Sequence, residues 1–402
     1  MTAVPADLAA PGLSERLEAL RHLCAASGAR QRRGVNLHLH TNYSFSSFRS
    51  PCEAVWQAVE EGLAALGIND HYAVDGHDEF RKACSIAGIP ATFSMEAVGM
   101  DRDLEARGLL VNDPGNPGRV YLSAKGVTRY PQEGRGGAAE LAGLRAALEK
   151  RNREMTAKVA DVFEARLGSS GPSWQDVEGL TPAGNTTERH IAKAVCLRLE
   201  SIAGSAEDVP GLVEKLCEVA PEKTDSSSLQ GLIRSRLLKA GGSCYVEESA
   251  QAFLSFEEMR RMFLEFGAIP TYPALMNPVT DFEQDPVAML DSLESRGWIA
   301  LEVIPFRNTR ERLAALMDEA RKRHWPVFAG SEHNTPDPKP LLDRFSLDQD
   351  FEDWFTRSAH VLLGHQAEAA AGRTGFVGRD GTPSIGSARE RFEHFEAAAR
   401  FQ

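Results

Sequence analysis

Short apolar strands alternate with capped helices in two stretches of this sequence, and the alternation restricts the possible folds more than any other feature. Residues 35–40 alternate strictly between apolar and polar positions, as a strand with one buried face does. Ser50-Pro51-Cys52-Glu53 then carries the Ser-x-x-Glu pattern of a capping box, with proline at the first helical position. Helices that alternate with such strands are typical of a parallel sheet. The predicted strands are 35–40, 64–68, 90–96, 268–272, 298–304 and 326–331.

Changes of pattern along the chain predict five segments. Residues 31–130 and 251–345 carry the strand–helix alternation, and we interpret them as the two parts of one α/β barrel. Residues 131–250 are rich in Ala, Glu, Leu, Lys and Arg at helical spacing, which predicts a helical insertion able to cover the barrel mouth as a lid. We expect an N-terminal helix within residues 1–30 and a mostly helical tail over residues 346–402.

The charge and the cysteine pattern exclude some classes of partner. The formal net charge is −12, so the chain lacks the basic face that extended nucleic acid requires, whereas a small anion held by a few local cations remains compatible. No run approaches the roughly 18 apolar residues of a membrane-spanning helix, and Met1 to Pro11 lacks the features of a signal peptide. The 6 cysteines are scattered, as reduced thiols usually are. We therefore expect a cytoplasmic protein with a small anionic substrate and with neither nucleic acid nor membrane as a partner.

Polar residues cluster where predicted strands end, which is where parallel α/β folds gather their functional groups. His38 and His40 lie on one face of the first strand, so their imidazoles are able to converge on one ion. A His-x-His pair alone is a weak signal, because unrelated core or surface histidines also produce it. Asp70-His71, Glu96 and Glu332-His333 lie at three further strand ends and strengthen it. The set predicts a site for a divalent metal ion.

Four of these segments resemble the motifs of the polymerase and histidinol phosphatase (PHP) superfamily. The first is similar to its histidine–x–histidine motif, the second to its Asp-His step, the third to its metal-bridging glutamate and the last to its Ser-Asp-x-His motif. They are Leu37–Ser44, Gly67–Gly76, Phe93–Glu96 and Gly330–His333. The resemblance implies a distorted (β/α)7 TIM-like barrel of the PHP type, here with a helical insertion, and a centre for several divalent ions, often Mn, Zn or Fe.

The resemblance also implies one complete metal site and two incomplete ones. The residues carried over to the first ion are His38, His40, Glu96 and Glu332, the last in place of the usual aspartate. Two histidines expected around the second ion are replaced by Arg119 and Tyr272. Asp70 and His71 match the second motif, and His71 is assigned to the third ion. Its further ligands are expected among Ser46 and Asn334, or a displaced His333 or His77.

Other residues are assigned to catalysis and to substrate binding. His71 or His333 is expected to protonate the leaving oxygen, and Tyr272 to act as a catalytic acid or a substrate contact. Side chains expected to bind an anionic substrate are Arg119, Lys125, Arg307 and Asn334. His190 falls within the predicted insertion, where packing is favoured over a role in the site.

Three functions remain open from the sequence. The first is metal-dependent hydrolysis of a small phosphorylated metabolite, a phosphatase or phosphodiesterase reaction that uses metal-activated water. The second keeps a single ion but cleaves a C–N, C–O or C–C bond of a carboxylate or sugar-like substrate, which the lost second-site histidines favour. The third is a non-catalytic binding domain, and the complete first site argues against it.

Overall fold

The computed structural model describes residues 5–28 and 31–399, and within them one seven-stranded sheet is surrounded by helices. The strands are β1 (Val35–Leu39), β2 (Ala65–His71), β3 (Ala91–Met100), β4 (Arg119–Lys125), β5 (Ile269–Pro273), β6 (Leu301–Val303) and β7 (Val327–Ala329). The α-helices are α1 (Leu13–Ala26), α2 (Pro51–Glu61), α3 (His77–Ala87), α4 (Arg102–Ala106), α5 (Gly136–Leu167), α6 (Trp174–Glu178), α7 (Glu188–Ile202), α8 (Val209–Cys217), α9 (Ser226–Ile233), α10 (Phe256–Glu265), α11 (Pro286–Ser295), α12 (Arg310–Lys322), α13 (Glu352–Ala370) and α14 (Ala388–Ala398). Parts of the predicted segments 1–30 and 346–402, and the start of the Met1 to Pro11 stretch, lie outside the described residues.

The sheet follows chain order and curls into a nearly closed barrel, so the predicted α/β barrel is confirmed. β1, β2 and β3 pair in parallel, and so do β5, β6 and β7. Every residue of β1 is buried, because helices cover its outer face while side chains fill the barrel interior. This packing explains why the apolar–polar alternation of residues 35–40 marks two buried faces rather than one buried and one exposed.

One strand is not among the six predicted ones, and it departs from the parallel arrangement that their alternation with helices predicts. β4 runs antiparallel to both β3 and β5. The connection from β3 to β4, residues 101–118, contains only the short helix α4 and does not recross the sheet, as the connection to a parallel strand must. The reversal pairs Arg119 with Met100, so Arg119 starts β4 at the rim where β3 ends. It also carries Lys125 into the barrel interior.

The barrel closes between β1 and the chain that follows β7. His40 N donates to Glu332 O at 2.8 Å, and Glu332 N donates to His38 O at 2.9 Å. Gly330 permits this approach, because a side-chain carbon there would lie 2.6 Å from the backbone nitrogen of His38. The absence of a side chain at Gly330 therefore brings the first and last predicted motifs together.

The Ser-x-x-Glu pattern of Ser50–Glu53 recurs in the sequence at Ser255–Glu258, and the two patterns form different caps in the structure. At Ser255 the box is complete, because the Ser255 side chain accepts from Glu258 N while the Glu258 carboxylate accepts from Ser255 N. At α2 only half of the box forms. Ser50 Oγ accepts from Glu53 N at 3.2 Å, but the Glu53 carboxylate accepts from Arg49 N instead of Ser50 N. Each helix starts at the residue after its serine, Pro51 in α2 and Phe256 in α10, since one capped amide is enough to favour the N-terminus.

The insertion has a hydrophobic core of its own. Apolar residues from Met155 to Cys244 form a cluster separate from that of the barrel, whereas Leu141 and Leu144 at the start of α5 pack with the barrel. The long helix α5 therefore connects the two cores. Among the described residues, no helix combines the length and the apolar character required to cross a bilayer.

Candidate metal centre

Three buried side chains at the barrel rim form the cluster best suited to bind a metal ion. His38 and His40 project from β1, and Glu96 projects from β3. Their ligand atoms all lie within 4.8 Å of one another: the two Nε2 atoms are 3.1 Å apart, and Glu96 Oε1 lies 3.2 Å from His40 Nε2. The sequence prediction that both imidazoles converge on one point is confirmed for the described residues.

The Nδ1 atom of His38 contacts the carboxylate of Glu302 on β6, and this contact orients the ring. Glu302 is completely buried, accepts from Ser123 Oγ at 2.6 Å and from Lys125 Nζ at 2.7 Å, and so has donors on both oxygens. A carboxylate only accepts, so the proton of His38 resides on Nδ1 and its Nε2 carries a lone pair. Glu302 thus fixes the tautomer that metal binding requires.

The Ser44 hydroxyl holds His40 in the same tautomer as His38, with the proton on Nδ1. Ser44 Oγ donates to Asp70 Oδ1 at 2.5 Å and lies 3.0 Å from His40 Nδ1. The hydroxyl has a single proton, so Nδ1 of His40 donates to it and Nε2 again carries a lone pair. Burial lowers the pKa of His40 to about 3, which keeps the ring neutral near pH 7.

The predicted metal ligand Asp70 supports this arrangement rather than joining the cluster. Its two oxygens accept from Thr41 N at 2.7 Å, from Thr41 Oγ1 at 2.6 Å and from Ser44 Oγ. Asp70 thus anchors the loop after β1. It lies on the Nδ1 side of the His40 ring, with 3.9 Å between His40 Nδ1 and Asp70 Oδ1. In this geometry Asp70 acts on an ion only through Ser44 and His40.

The Nε2 lone pairs of His38 and His40 face each other across 3.1 Å, and the Glu96 carboxylate lies beside them. The cluster therefore concentrates electron-rich atoms that a positive charge would stabilise. Although burial favours the neutral form of Glu96, the imidazoles of His71 and His38 hold the pKa of this carboxyl well below its ordinary value. Two neighbouring polar atoms, Asn69 Oδ1 and His71 Nδ1, are buried without a hydrogen-bond partner. The donor set therefore fits a divalent cation, which would satisfy the lone pairs and the carboxylate together.

His71 lies beside the cluster at the end of β2. Its Nδ1 atom is 2.8 Å from Glu96 Oε1 but is not aligned for a hydrogen bond, and its ring centroid is 4.6 Å from that of His40. Burial opposes the charged form, yet Glu96 outweighs it and raises the pKa of His71. His71 lines the cavity above the cluster, so the position is suited either to a ligand or to a proton donor.

Glu332 is not part of the three-residue cluster among the described residues. Arg307 binds its carboxylate through both terminal nitrogens, one of them at 2.7 Å from Oε1. The backbone at Glu332 and His333 has positive φ, 66° and 59°, which is costly for residues with side chains. This left-handed turn aims Glu332 toward Arg307 and the cavity, and its role as a metal ligand stays a prediction.

His333 and Tyr272, both predicted to be catalytic, face other parts of the fold. His333 Nδ1 lies 2.7 Å from Ser331 Oγ, its Nε2 lies 2.9 Å from Lys339 O, and the ring stacks on Phe48. Tyr272 is fully buried, contacts the Phe282 ring and does not line the cavity. The geometry leaves neither residue able to reach a substrate above the cluster.

The other histidines considered for the site serve packing and capping. His77 Nε2 lies 3.0 Å from Ser94 O and its Nδ1 lies 3.0 Å from the Tyr130 hydroxyl, so neither nitrogen is free for an ion. His190 Nδ1 accepts from Thr187 N at 2.9 Å and completes the N-terminal cap of α7.

A cavity of about 460 Å³ lies above the cluster, between the barrel rim and the insertion. Three of the predicted substrate-binding residues line it: Arg119, Arg307 and Asn334. Lys125 does not, because it is completely buried beneath the cluster, where it donates to Leu37 O at 3.0 Å and to Glu302. The prediction that Lys125 binds substrate is therefore wrong in this geometry, and its role is to position Glu302.

Sequence reasoning missed two features of this site. Glu302 falls within the predicted strand 298–304 and was not assigned to the site, although a lone carboxylate inside an apolar strand indicates a buried polar contact. A group of charged side chains from the insertion also lines the cavity: Arg151, Glu188, Arg189, Arg234 and Lys239. No local pattern marks these five, since they meet only when the insertion folds against the rim.

Comparison with known proteins agrees with the resemblance seen in the sequence. The sequence profile of the PHP domain matches residues 36–163, which include His38, His40, His71 and Glu96 and end within α5. No curated protein matches the chain in sequence.

Two solved structures align with most of the chain. A proposed metal-dependent phosphoesterase from Bifidobacterium adolescentis is 19% identical, with a TM-score of 0.51, and the alignment covers 78% of this chain and 94% of that one. An amidohydrolase from Chromobacterium violaceum, solved with bound sulfate and no metal, is 15% identical with a TM-score of 0.49, over 77% and 92% of the two chains. At such identities the likeness concerns the fold alone.

Proposed function

We propose that the chain is a metal-dependent hydrolase of the PHP type that cleaves a small phosphate ester. One observation carries the proposal: the Nε2 lone pairs of His38 and His40 converge at 3.1 Å beside the Glu96 carboxylate, at the floor of a cavity. The match of residues 36–163 to the PHP domain supports the same class of enzyme.

In the proposed site, His38, His40 and Glu96 hold a divalent ion of the Mn, Zn or Fe type. Such an ion supplies a Lewis acid for phosphoryl oxygens and lowers the pKa of a water molecule to about 7. The chain contributes orientation: Glu302 and Ser44 hold the two imidazoles in the tautomers that present Nε2. No rotation of these rings is needed when the ion binds.

Arg119 and Arg307 supply charge for the substrate. Each lines the cavity and is held by a carboxylate, Arg119 by Glu248 and Arg307 by Glu332. An arginine held in this way keeps its planar guanidinium in a defined orientation, which suits recognition of phosphate oxygens. We assign proton donation to the leaving oxygen to His71, the imidazole at the cavity surface next to Glu96.

Two measurements on one set of variants test the proposal. Purified protein is analysed for bound metal, and phosphate release from a panel of small phosphate esters is followed with and without chelator. We expect chelator-sensitive release in the native protein, and loss of both metal and activity in His38→Ala and Glu96→Ala. Phosphate release that survives in these variants, or in chelated protein, contradicts the metal site.

His71→Asn separates the two roles open to that residue. If His71 donates the proton, kcat falls about 100-fold, in the range of general acid catalysis, while the metal content stays that of the native protein. A parallel loss of metal identifies His71 as a ligand instead and contradicts our assignment. His394→Asn serves as the control, since His394 is exposed on α14 and does not line the cavity.

A second candidate function is cleavage of a C–N, C–O or C–C bond at one ion. It is favoured by the finding that a single cluster, with three ligands, occurs among the described residues. The same measurements separate the candidates: metal-dependent phosphate release supports the phosphoesterase, whereas one ion per chain without phosphate release supports the second reaction.

A further inference from the structure

The insertion presents an excess of positive charge to the cavity. Four cations and two carboxylates of the insertion line the cavity, and one of the carboxylates, Glu248, is bound to Arg119. We call the other five side chains the cationic wall: Arg151, Arg189, Arg234, Lys239 and Glu188. The whole chain carries a formal charge of −12, so the concentration of cations is a local feature and not an effect of composition.

Glu188 alone cannot neutralise this wall. Its Oε1 accepts from Arg151 Nη1 at 3.0 Å, and its Oε2 lies 2.7 Å from Lys239 Nζ and 3.7 Å from Arg234 Nη2. One negative charge is thus shared by three positive ones. Those three cations hold the pKa of Glu188 below its ordinary value although burial raises it.

Arg189 lies next to this group without an ion-pair partner among the described residues. Its guanidinium lies 6.0 Å from the Phe45 ring, and the carboxylate of Glu332, which also acts on it, is already bound by Arg307. Burial and the repulsion from Arg234 lower the pKa of Arg189 to about 10. Arg234 Nε is itself buried without a hydrogen-bond partner. Two arginines therefore have donor groups that no carboxylate among the described residues satisfies.

The other arginines of the cavity differ in this respect. Arg119 is paired with Glu248, and Arg307 is paired through both nitrogens with Glu332. Unbalanced positive charge thus lies on the wall and not at the rim. The N-terminus of α7, which begins at Glu188, adds the positive end of a helix dipole at the same place.

We propose that the cationic wall binds a second oxyanion group of the substrate, remote from the ester that is cleaved. The inference rests on the proposed function, because it assigns the reacting phosphate to the His38–His40–Glu96 end of the same cavity. A volume of about 460 Å³ lies within the range of small-molecule sites, roughly 300–1,000 Å³. One substrate molecule with an anionic group at each end fits that arrangement, and binding at the remote end holds the ester in place for reaction.

Binding of inorganic phosphate to metal-free protein tests the wall without reference to activity. Calorimetric titration is compared for the native protein, for Arg189→Gln and for Arg198→Gln, a control on the same helix whose side chain hydrogen bonds to Ser170 away from the cavity. Losing one charge-assisted contact weakens binding about 10-fold, so we expect this increase of Kd for Arg189→Gln and no change for Arg198→Gln. Equal Kd values in all three proteins overturn the proposal.

Substrates with matched carbon skeletons test the same point in the metal-loaded enzyme. Propyl phosphate is compared with 3-carbon esters whose far end carries either a second phosphate or a carboxylate, which identifies the type of oxyanion that is bound. We expect kcat/KM to rise about 10-fold or more with at least one charged tail, and the rise to vanish in Arg189→Gln but not in Arg198→Gln. A gain that is absent, or that persists in Arg189→Gln, contradicts the role of the wall.

The two assays separate failure of this inference from failure of the proposed function. Phosphate binding that depends on Arg189, without hydrolysis of any ester, retains the wall and contradicts the phosphoesterase. If kcat/KM for hydrolysis is unaffected by the charged tail and phosphate binding does not depend on Arg189, the phosphoesterase proposal stands and the proposed role of the cationic wall is contradicted.

Discussion

The carboxylate of Glu302 contacts the Nδ1 atom of His38, although the two residues are 264 positions apart in the sequence. Glu302 is fully buried and also receives hydrogen bonds from Ser123 and Lys125. A buried carboxylate with this many donors is held in one position, and it holds His38 in one tautomer. The barrel thus orients a metal-binding imidazole of β1 from β6, which lies two strands away across β7.

Glu302→Gln tests whether this contact prepares the metal site. The amide can present its NH2 group to His38 Nδ1, which favours the tautomer with the proton on Nε2 and removes the lone pair offered to the ion. We expect metal affinity to fall about 10- to 100-fold, as for other partners of metal-binding histidines. Competition with a fluorescent chelator measures it. The control Glu154→Gln changes an exposed carboxylate of α5 and should leave affinity unchanged; an equal affinity in Glu302→Gln would show that the contact is not needed.

Lys125→Met tests the ion pair beneath the cluster. Lys125 is completely buried and donates to Glu302 at 2.7 Å, so its removal leaves a buried carboxylate short of one donor. Breaking a buried pair by removing one partner costs about 3–5 kcal/mol, and we expect a decrease of that order in the free energy of unfolding in urea. The double variant Lys125→Met/Glu302→Gln removes both charges and should recover part of the loss. A double variant as unstable as the sum of the two single ones would contradict the coupling.

Much of the barrel could be predicted from the sequence, because it rests on local patterns. The alternation of residues 35–40, the proline that starts α2 and the capping box at Ser255 each reflect contacts within a few residues, and the structure contains all of them. The reversal of β4 could not be predicted in the same way. A strand's direction depends on whether the preceding connection recrosses the sheet, and that connection carries no strong helical pattern.

In the site, too, the features that rest on local sequence patterns were predicted and those that depend on contacts in the folded chain were not. His38, His40 and Glu96 lie within short motifs, so residue type and spacing were enough to bring them together. Glu332 and Arg307 were both expected in the site, but their mutual ion pair was not. Charged side chains pair with whichever opposite charge lies near them in the folded chain. No local sequence pattern therefore predicts the Arg307–Glu332 pair or the cationic wall.

Glu283 predicts a pH dependence of stability away from the metal centre. Burial raises the pKa of this carboxyl from 4.5 to about 7, although Leu275 N, Met276 N and Thr280 Oγ1 donate to it. Between these two values the native state binds more protons than the unfolded state, so stability falls as the pH rises from 4.5 through 7. A shift of this size corresponds to about 3 kcal/mol in order of magnitude.

Urea unfolding at a series of pH values measures the contribution of Glu283. In Glu283→Gln the decrease between pH 4.5 and pH 7 should become shallower, because the group that releases its proton is gone. The difference between the two proteins isolates this group from the other titrating residues. If the two curves of unfolding free energy against pH run parallel across that window, Glu283 does not titrate there.

Gly330→Ala tests the closure of the barrel on which the metal centre depends. A side-chain carbon at Gly330 would lie 2.6 Å from His38 N, so either β1 or the turn after β7 must shift. Overpacking of this kind costs about 1–3 kcal/mol or more, and we expect a matching loss of unfolding free energy together with weaker metal binding, since His38 moves with the strand. Gly143→Ala is the matched control: Gly143 lies within α5, a side-chain carbon there meets nothing within 4 Å, and helix propensity predicts a gain of roughly 1 kcal/mol. A Gly330→Ala protein as stable as the native one, with native metal affinity, would show that the approach of the first and last motifs does not depend on this glycine.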